Sequence, residues 1–162
     1  MSASAVTSLT GVEPTFPTRL ERVHRRLHRE AARRHAAAIN VAVFAGGALG
    51  ALARFWLLEA LPPGPGEWPW ATFIANLGGA LLLGVVAARL IERRPPSTYR
   101  APLLATGVCG ALTTFSTFQI EVLVLGRDGH AAMAGAYVLV SIALGLACIS
   151  AGTRIARAWA GR

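Results

Sequence analysis

Four stretches of this chain, 39–61, 70–91, 101–125 and 131–153, are long, continuous and almost wholly apolar. A bilayer core asks for about 17–25 such residues per helical crossing, and each run meets that length. In hydrocarbon every backbone N–H and C=O must be paired internally, so runs of this length read as transmembrane helices. With 54% hydrophobic residues and a mean hydropathy of +0.49, the 162 residues carry more apolar surface than one soluble core of this size can hide. The expected fold is an all-α integral membrane protein of four transmembrane helices over 39–153. A leading region, 1–38, and a short basic tail, 154–162, flank it. Four crossings put both termini on one side.

The formal net charge of +8 arises from arginine alone, since the chain has no lysine. A charge of this size raises the question of nucleic acid, and its placement answers against it. Arg19, Arg22, Arg25, Arg26, Arg29, Arg33 and Arg34 precede the first run, Arg89, Arg93, Arg94 and Arg100 flank the middle loop, and Arg154, Arg157 and Arg162 follow the last run. The other two loops hold only Arg127. The positive-inside rule then makes both termini and the middle loop cytoplasmic in a multi-pass protein of the cell membrane.

Residues 1–17 are small, polar and proline-containing, which predicts a disordered start and no signal peptide. From Thr18 to Ala38 good helix formers, a cap at Thr18 and the pairs Glu21/Arg25 and Glu30/Arg34 predict a basic cytoplasmic helix. Its thin apolar stripe of Leu20, Val23 and Leu27 suits anionic lipid headgroups, at about 1 kcal/mol per nearby Arg, or equally a solvated orientation signal. Cys109 and Cys148 lie within spans, without metal-ligand spacing, and read as small buried residues. Small residues four apart, such as Gly46/Gly50, Ala80/Gly84 and Gly107/Ala111, predict close helix packing.

Polar side chains at bilayer depth are costly and mark function. Here they are Arg54, Asn76, Tyr137, Ser141 and Ser150, and a concentration in the third run: Thr106, Thr113, Thr114, Ser116, Thr117, Gln119 and Glu121. Almost all are neutral hydrogen-bonding groups, which suits the path of a small ion better than a proton relay. The segment GVCGALTTFSTFQIE joins glycines to Thr-Thr and Ser-Thr pairs, so a broken third helix is expected near Gly110 to Ser116. Such a break frees carbonyls for a cation, and amides or hydroxyls for an anion. Phe115 and Phe118 then share a helix face, where their positive ring edges can meet an anion or simply fill space.

GVCGALTTFSTFQIE resembles the third-span signature of the Fluc/CrcB fluoride channels, and GGALGALARF and ANLGG fall in the expected order before it. The resemblance covers about 39–153 of the chain and leaves the basic extension outside. It implies a fluoride-specific channel that exports fluoride from the cytoplasm. It also implies an antiparallel dimer with two pores and a structural Na⁺ at its centre. Carried onto this sequence, the Na⁺ is held by the carbonyls of Gly110 and Thr113. Phe115 and Phe118 line the fluoride path, Asn76 donates its amide, and Ser116, Thr117, Tyr137 and Ser141 supply hydroxyls. Thr114, Glu121 and Arg54 are supporting residues, Arg54 in a vestibule or structural role, with snorkelling to the interface as its alternative. Two departures from the family pattern are Ala111, where a second glycine is common, and Gly145, where some members continue the hydroxyl track.

A four-helix small-molecule exporter would need an acidic residue in the middle of the first span, and Glu59 stands only at its end. A membrane enzyme would need a nucleophile and base, but His24, His28, His35 and His130 all lie outside the spans and Glu121 is the one intramembrane carboxylate. A purely structural membrane subunit leaves the polar third span unexplained. The charge bias bears on the dimer: fourteen arginines fall on the terminal side and Arg127 alone opposite, with Arg54 set aside. A chain so biased inserts one way, so an antiparallel pair is expected to be a heterodimer with an oppositely oriented homologue, in place of a homodimer.

Overall fold

The structure is a computed structural model that describes residues 19–92 and 97–160, with side chains over 26–92 and 97–159. The expected disordered start, the cap at Thr18, the Glu21/Arg25 pair, Leu20, Val23, Arg93, Arg94 and Arg162 lie outside the described residues or side chains. The described residues divide into two units between Ala36 and Ala37. In the first, the backbone is helical from Arg19 onward.

Helix α1 covers Arg19–Ala60, without interruption between the basic segment and the first span. The reason is local: RHAAAINVAVF offers neither Pro nor Gly to interrupt it. It ends before Pro62 and Pro63, which disfavour helical backbone in the residue ahead of them. The loop that follows turns at Gly64–Glu67, where Glu67 N–H donates to the Gly64 carbonyl at 3.1 Å. Pro65 supplies the fixed φ, and Gly66, at φ 69°, takes the left-handed position that a type II turn requires.

The second span is α2, Trp70–Val86, continued by a wide π-type turn at Ala87–Ile91. The third comprises a π-type segment, Pro102–Cys109, a short helix α3, Gly110–Leu112, and helix α4, Phe115–Arg127. The fourth is α5, Ala131–Ala160, entered through Gly129 at φ 86°. At that link His130 N–H donates to the Leu125 carbonyl at 2.8 Å, closing the end of α4 over its glycine. Four helical stretches are long and apolar enough to cross a membrane, as the hydropathy predicts: Arg26–Ala60, Trp70–Ile91, Pro102–Arg127 and Ala131–Trp159.

Glycines bring the helices together, backbone to backbone. A Cβ on Gly46 would fall on the Leu103 carbonyl, and one on Gly50 on that of Val108, so α1 lies directly against the third span. Gly84 and Gly152 do the same between α2 and α5, each facing the other helix's carbonyl row. On the loop side, Phe73, Leu125, Ala134 and Tyr137 form the buried core, with Trp68 and Phe118 against it. At the other end Arg157 on α5 pairs with Glu92 after α2 at 2.8 Å, both exposed. Large apolar side chains such as Phe44, Leu139 and Leu146 stand exposed on the helices, the outward face of a protein whose solvent is lipid.

Candidate functional site

Between α3 and α4 two residues leave helical geometry. Thr113 has φ −77° and ψ 150°, and Thr114 has φ −146° and ψ 127°, both extended. At bilayer depth their backbone groups must find other partners. Asn76 on α2 provides them: its Oδ1 accepts from the Thr114 N–H at 2.8 Å, and its Nδ2 donates to the Thr114 carbonyl at 3.1 Å. One side-chain amide therefore replaces the helical partners of a whole peptide residue. Thr113 keeps its N–H on the Cys109 carbonyl at 3.1 Å and adds its hydroxyl there at 2.8 Å.

The Thr114 side chain starts the next helix. Its Oγ1 accepts from the Thr117 N–H at 3.3 Å and donates to Thr117 Oγ1 at 3.1 Å, with Ser116 Oγ 3.3 Å away. This is an N-cap, built inside the membrane span. It diverts a donor, because in a continuous helix the Thr117 N–H would serve the Thr113 carbonyl. The Thr114 N–H, taken by Asn76, would likewise have served Gly110. The carbonyls of Gly110 and Thr113 are thus, with those of Ala111 and Leu112, among the ones left without helical donors at this point, and a Cβ on Gly110 would meet nothing.

A cavity of about 290 Å³ adjoins the extended residues, lined by Asn76, Thr113, Thr114, Phe115, Phe118, Ser141 and Ile142. No lining side chain is ionisable. The two phenylalanine rings stack, with centroids 6.2 Å apart and planes 24° from parallel. Phe118 also lies 4.9 Å from the Tyr137 ring, whereas Phe115 is 70% exposed on this chain. Ser141 Oγ is buried and has no hydrogen-bond partner among the described residues. The Asn76 amide has two N–H groups and spends one on Thr114, so a second remains. An uncommitted hydroxyl and an uncommitted amide N–H beside aromatic edges can bind a small anion with no buried cation to trap it.

The remaining sequence candidates stand elsewhere. Ser116 and Thr117 belong to the cap of α4 and do not line the cavity. The fully buried Tyr137 donates its hydroxyl to Glu121 Oε2 at 2.9 Å, and Thr72 donates to Oε1 at 2.6 Å. Glu121 also borders a second cavity, of about 380 Å³, under the loop from Pro63 to Pro69. Arg54 is half-buried on α1 and lines neither cavity. Thr72 and Ile142 went unnoticed in the sequence. Thr72 had a signal: it is a polar residue one turn before Asn76, on the same helix face.

Residues 41–153 match the model of a protein family described as CrcB-like protein, Camphor Resistance (CrcB). A Mycobacterium bovis protein named fluoride-specific ion channel FluC 1 is 53% identical over 116 residues, spanning 72% of this chain and 88% of its own. Fluoride-specific ion channel FluC of Chlorobaculum tepidum is 42% identical over 117 residues, 72% of this chain and 93% of that one. FluC 2 of Symbiobacterium thermophilum is 43% identical over 122 residues, 72% and 96% of the two chains.

Proposed function

The chain belongs to the CrcB-like family, and from that premise we propose that fluoride crosses the membrane through the cavity between Asn76, the two phenylalanines and Ser141. The protein is a fluoride-specific ion channel of the multi-pass membrane class and not an enzyme. Flow down its gradient exports fluoride from the cytoplasm. The observation that carries the path is that Ser141, whose buried hydroxyl has no partner among the described residues, lines the same cavity as Asn76, which has an N–H to spare. A small, hard anion replaces part of its hydration shell with these donors and with ring edges, and a larger halide fits them less well.

The finer architecture is part of the proposal. The third span is read as a broken helix, a reading supported by the extended Thr113 and Thr114. The carbonyls released there are hard oxygen donors suited to Na⁺, and among them the resemblance assigns those of Gly110 and Thr113 to a structural ion shared by two subunits. With Phe115 so exposed on one chain, a partner subunit would complete the wall. The arginine bias supports cytoplasmic termini and an oppositely oriented homologue as that partner, and the basic start of α1 would rest on anionic headgroups. Liposomes loaded with fluoride and holding the purified protein, alone and with a candidate partner, test the function with a fluoride electrode. Fluoride should leave far faster than chloride; equal rates would reject the selectivity.

A further inference from the structure

The hydrogen bonds around Thr114 tie the anion cavity to the carbonyls that precede the extended residues. Asn76 lines the anion cavity, and the same side chain removes the Thr114 N–H from the Gly110 carbonyl. The released carbonyl belongs to an exposed glycine whose Cβ side is open. The second bond, from Nδ2 to the Thr114 carbonyl, fixes the rotation of that peptide unit and with it the cap that draws Thr117 N–H away from Thr113. If Asn76 let go, the Thr114 N–H could return to Gly110 and close the helix over both carbonyls.

The geometry points to Asn76 as the positioning residue for the central cation: by holding Thr114 out of the helix, a pore-lining side chain sets how well the Gly110 and Thr113 carbonyls bind Na⁺. This rests on the proposed Na⁺ reading of those carbonyls. Linkage makes the effect reciprocal. Whatever strengthens the Asn76 clasp strengthens cation binding, and a bound cation stiffens the cavity wall at Thr113 and Thr114. An anion held by the spare Asn76 N–H should therefore tighten Na⁺ binding as well.

The test is the Na⁺ concentration at which the full-length dimer is half-protected against heat, measured in detergent with N-methylglucamine as the replacing cation. Asn76→Asp keeps an acceptor for the Thr114 N–H but turns a carboxylate oxygen toward the Thr114 carbonyl. It should raise the Na⁺ midpoint at least about tenfold, within the usual range of coupling between sites. Asn76→Ser, too short to hold both groups, should shift it the same way. Ser141→Ala faces the same cavity without touching Thr114, and should lower fluoride flux while leaving the Na⁺ midpoint where it was. Fluoride added to the parent should lower the midpoint, and this response should vanish in both Asn76 variants. Parental midpoints in both variants, with flux reduced, would overturn the coupling and leave the Na⁺ site standing. A parent indifferent to Na⁺ would overturn the cation reading itself, and the coupling with it. Failure of both variants to form a dimer even in saturating Na⁺ would also count against the proposal, since saturation should restore the cage.

Discussion

Phe115 and Phe118 present the sharpest choice between chemistry and packing. Their rings stack beside the cavity, yet Phe115 is largely exposed on this chain and makes little core contact. Replacing either by Ile retains apolar bulk and removes the positive ring edge. Flux through Phe115→Ile or Phe118→Ile should fall by about tenfold, which corresponds to about 1.4 kcal/mol on a barrier. Size-exclusion profiles should stay those of the parent, and undiminished electrode traces would make the rings filler. Tyr137 presents the opposite case. Its hydroxyl is committed to Glu121, so Tyr137→Phe leaves a carboxylate oxygen short of a donor and should lower stability by about 1–3 kcal/mol, read as a lowered melting temperature. The residue types at this site were legible because hydroxyls and an amide in hydrocarbon demand a reason. Their partners were not. Asn76 and Thr114 are 38 positions apart, and no local pattern says that an asparagine on one helix will hold the backbone of another.

At the level of the element, hydropathy located the four spans but could not fix their ends. Helix α1 continues through the point where its composition turns from basic to apolar, because side-chain chemistry changes there while backbone propensity does not. The π-type segment at Pro102–Cys109 left no periodic trace, since a nearly uniform apolar run looks alike at any helical pitch. Small-residue spacing was more informative, though it could not choose among neighbouring glycines. Gly46 meets the Leu103 carbonyl, whereas at Gly47 a Cβ would meet nothing. Gly46→Ala should therefore destabilise the protein by about 1–3 kcal/mol through forced separation of the helices. Gly47→Ala, with the same change in helix propensity, should be neutral or mildly stabilising. Thermal unfolding of the pair in one detergent checks the contrast, and equal melting temperatures would mean that this helix contact is looser than described.

For the whole molecule, the distribution of arginine is the feature with the widest reach. A chain with fourteen arginines on one side of its spans should take a single orientation, so C-terminal reporters should give only the cytoplasmic signal, and the chain expressed alone should transport fluoride poorly. A dual signal would restore the homodimer. Exchange of all Na⁺ for a large organic cation should lower both flux and dimer stability, with unchanged values in Na⁺-free buffer speaking against a structural ion. The Asn76 clasp also bears on how the molecule comes to exist. A third span newly delivered to lipid has no reason to leave Thr113 and Thr114 extended, since an unbroken helix pairs its own backbone there. The form with Thr113 and Thr114 extended requires the second span to be already alongside, so that an amide from Asn76 can take over as the helical bonds open. Synthesis proceeds in that order, the asparagine reaching the membrane before the threonines. The third span would thus be born as continuous helix, and would acquire its extended pair as a late step of maturation, once a neighbour arrives to hold it.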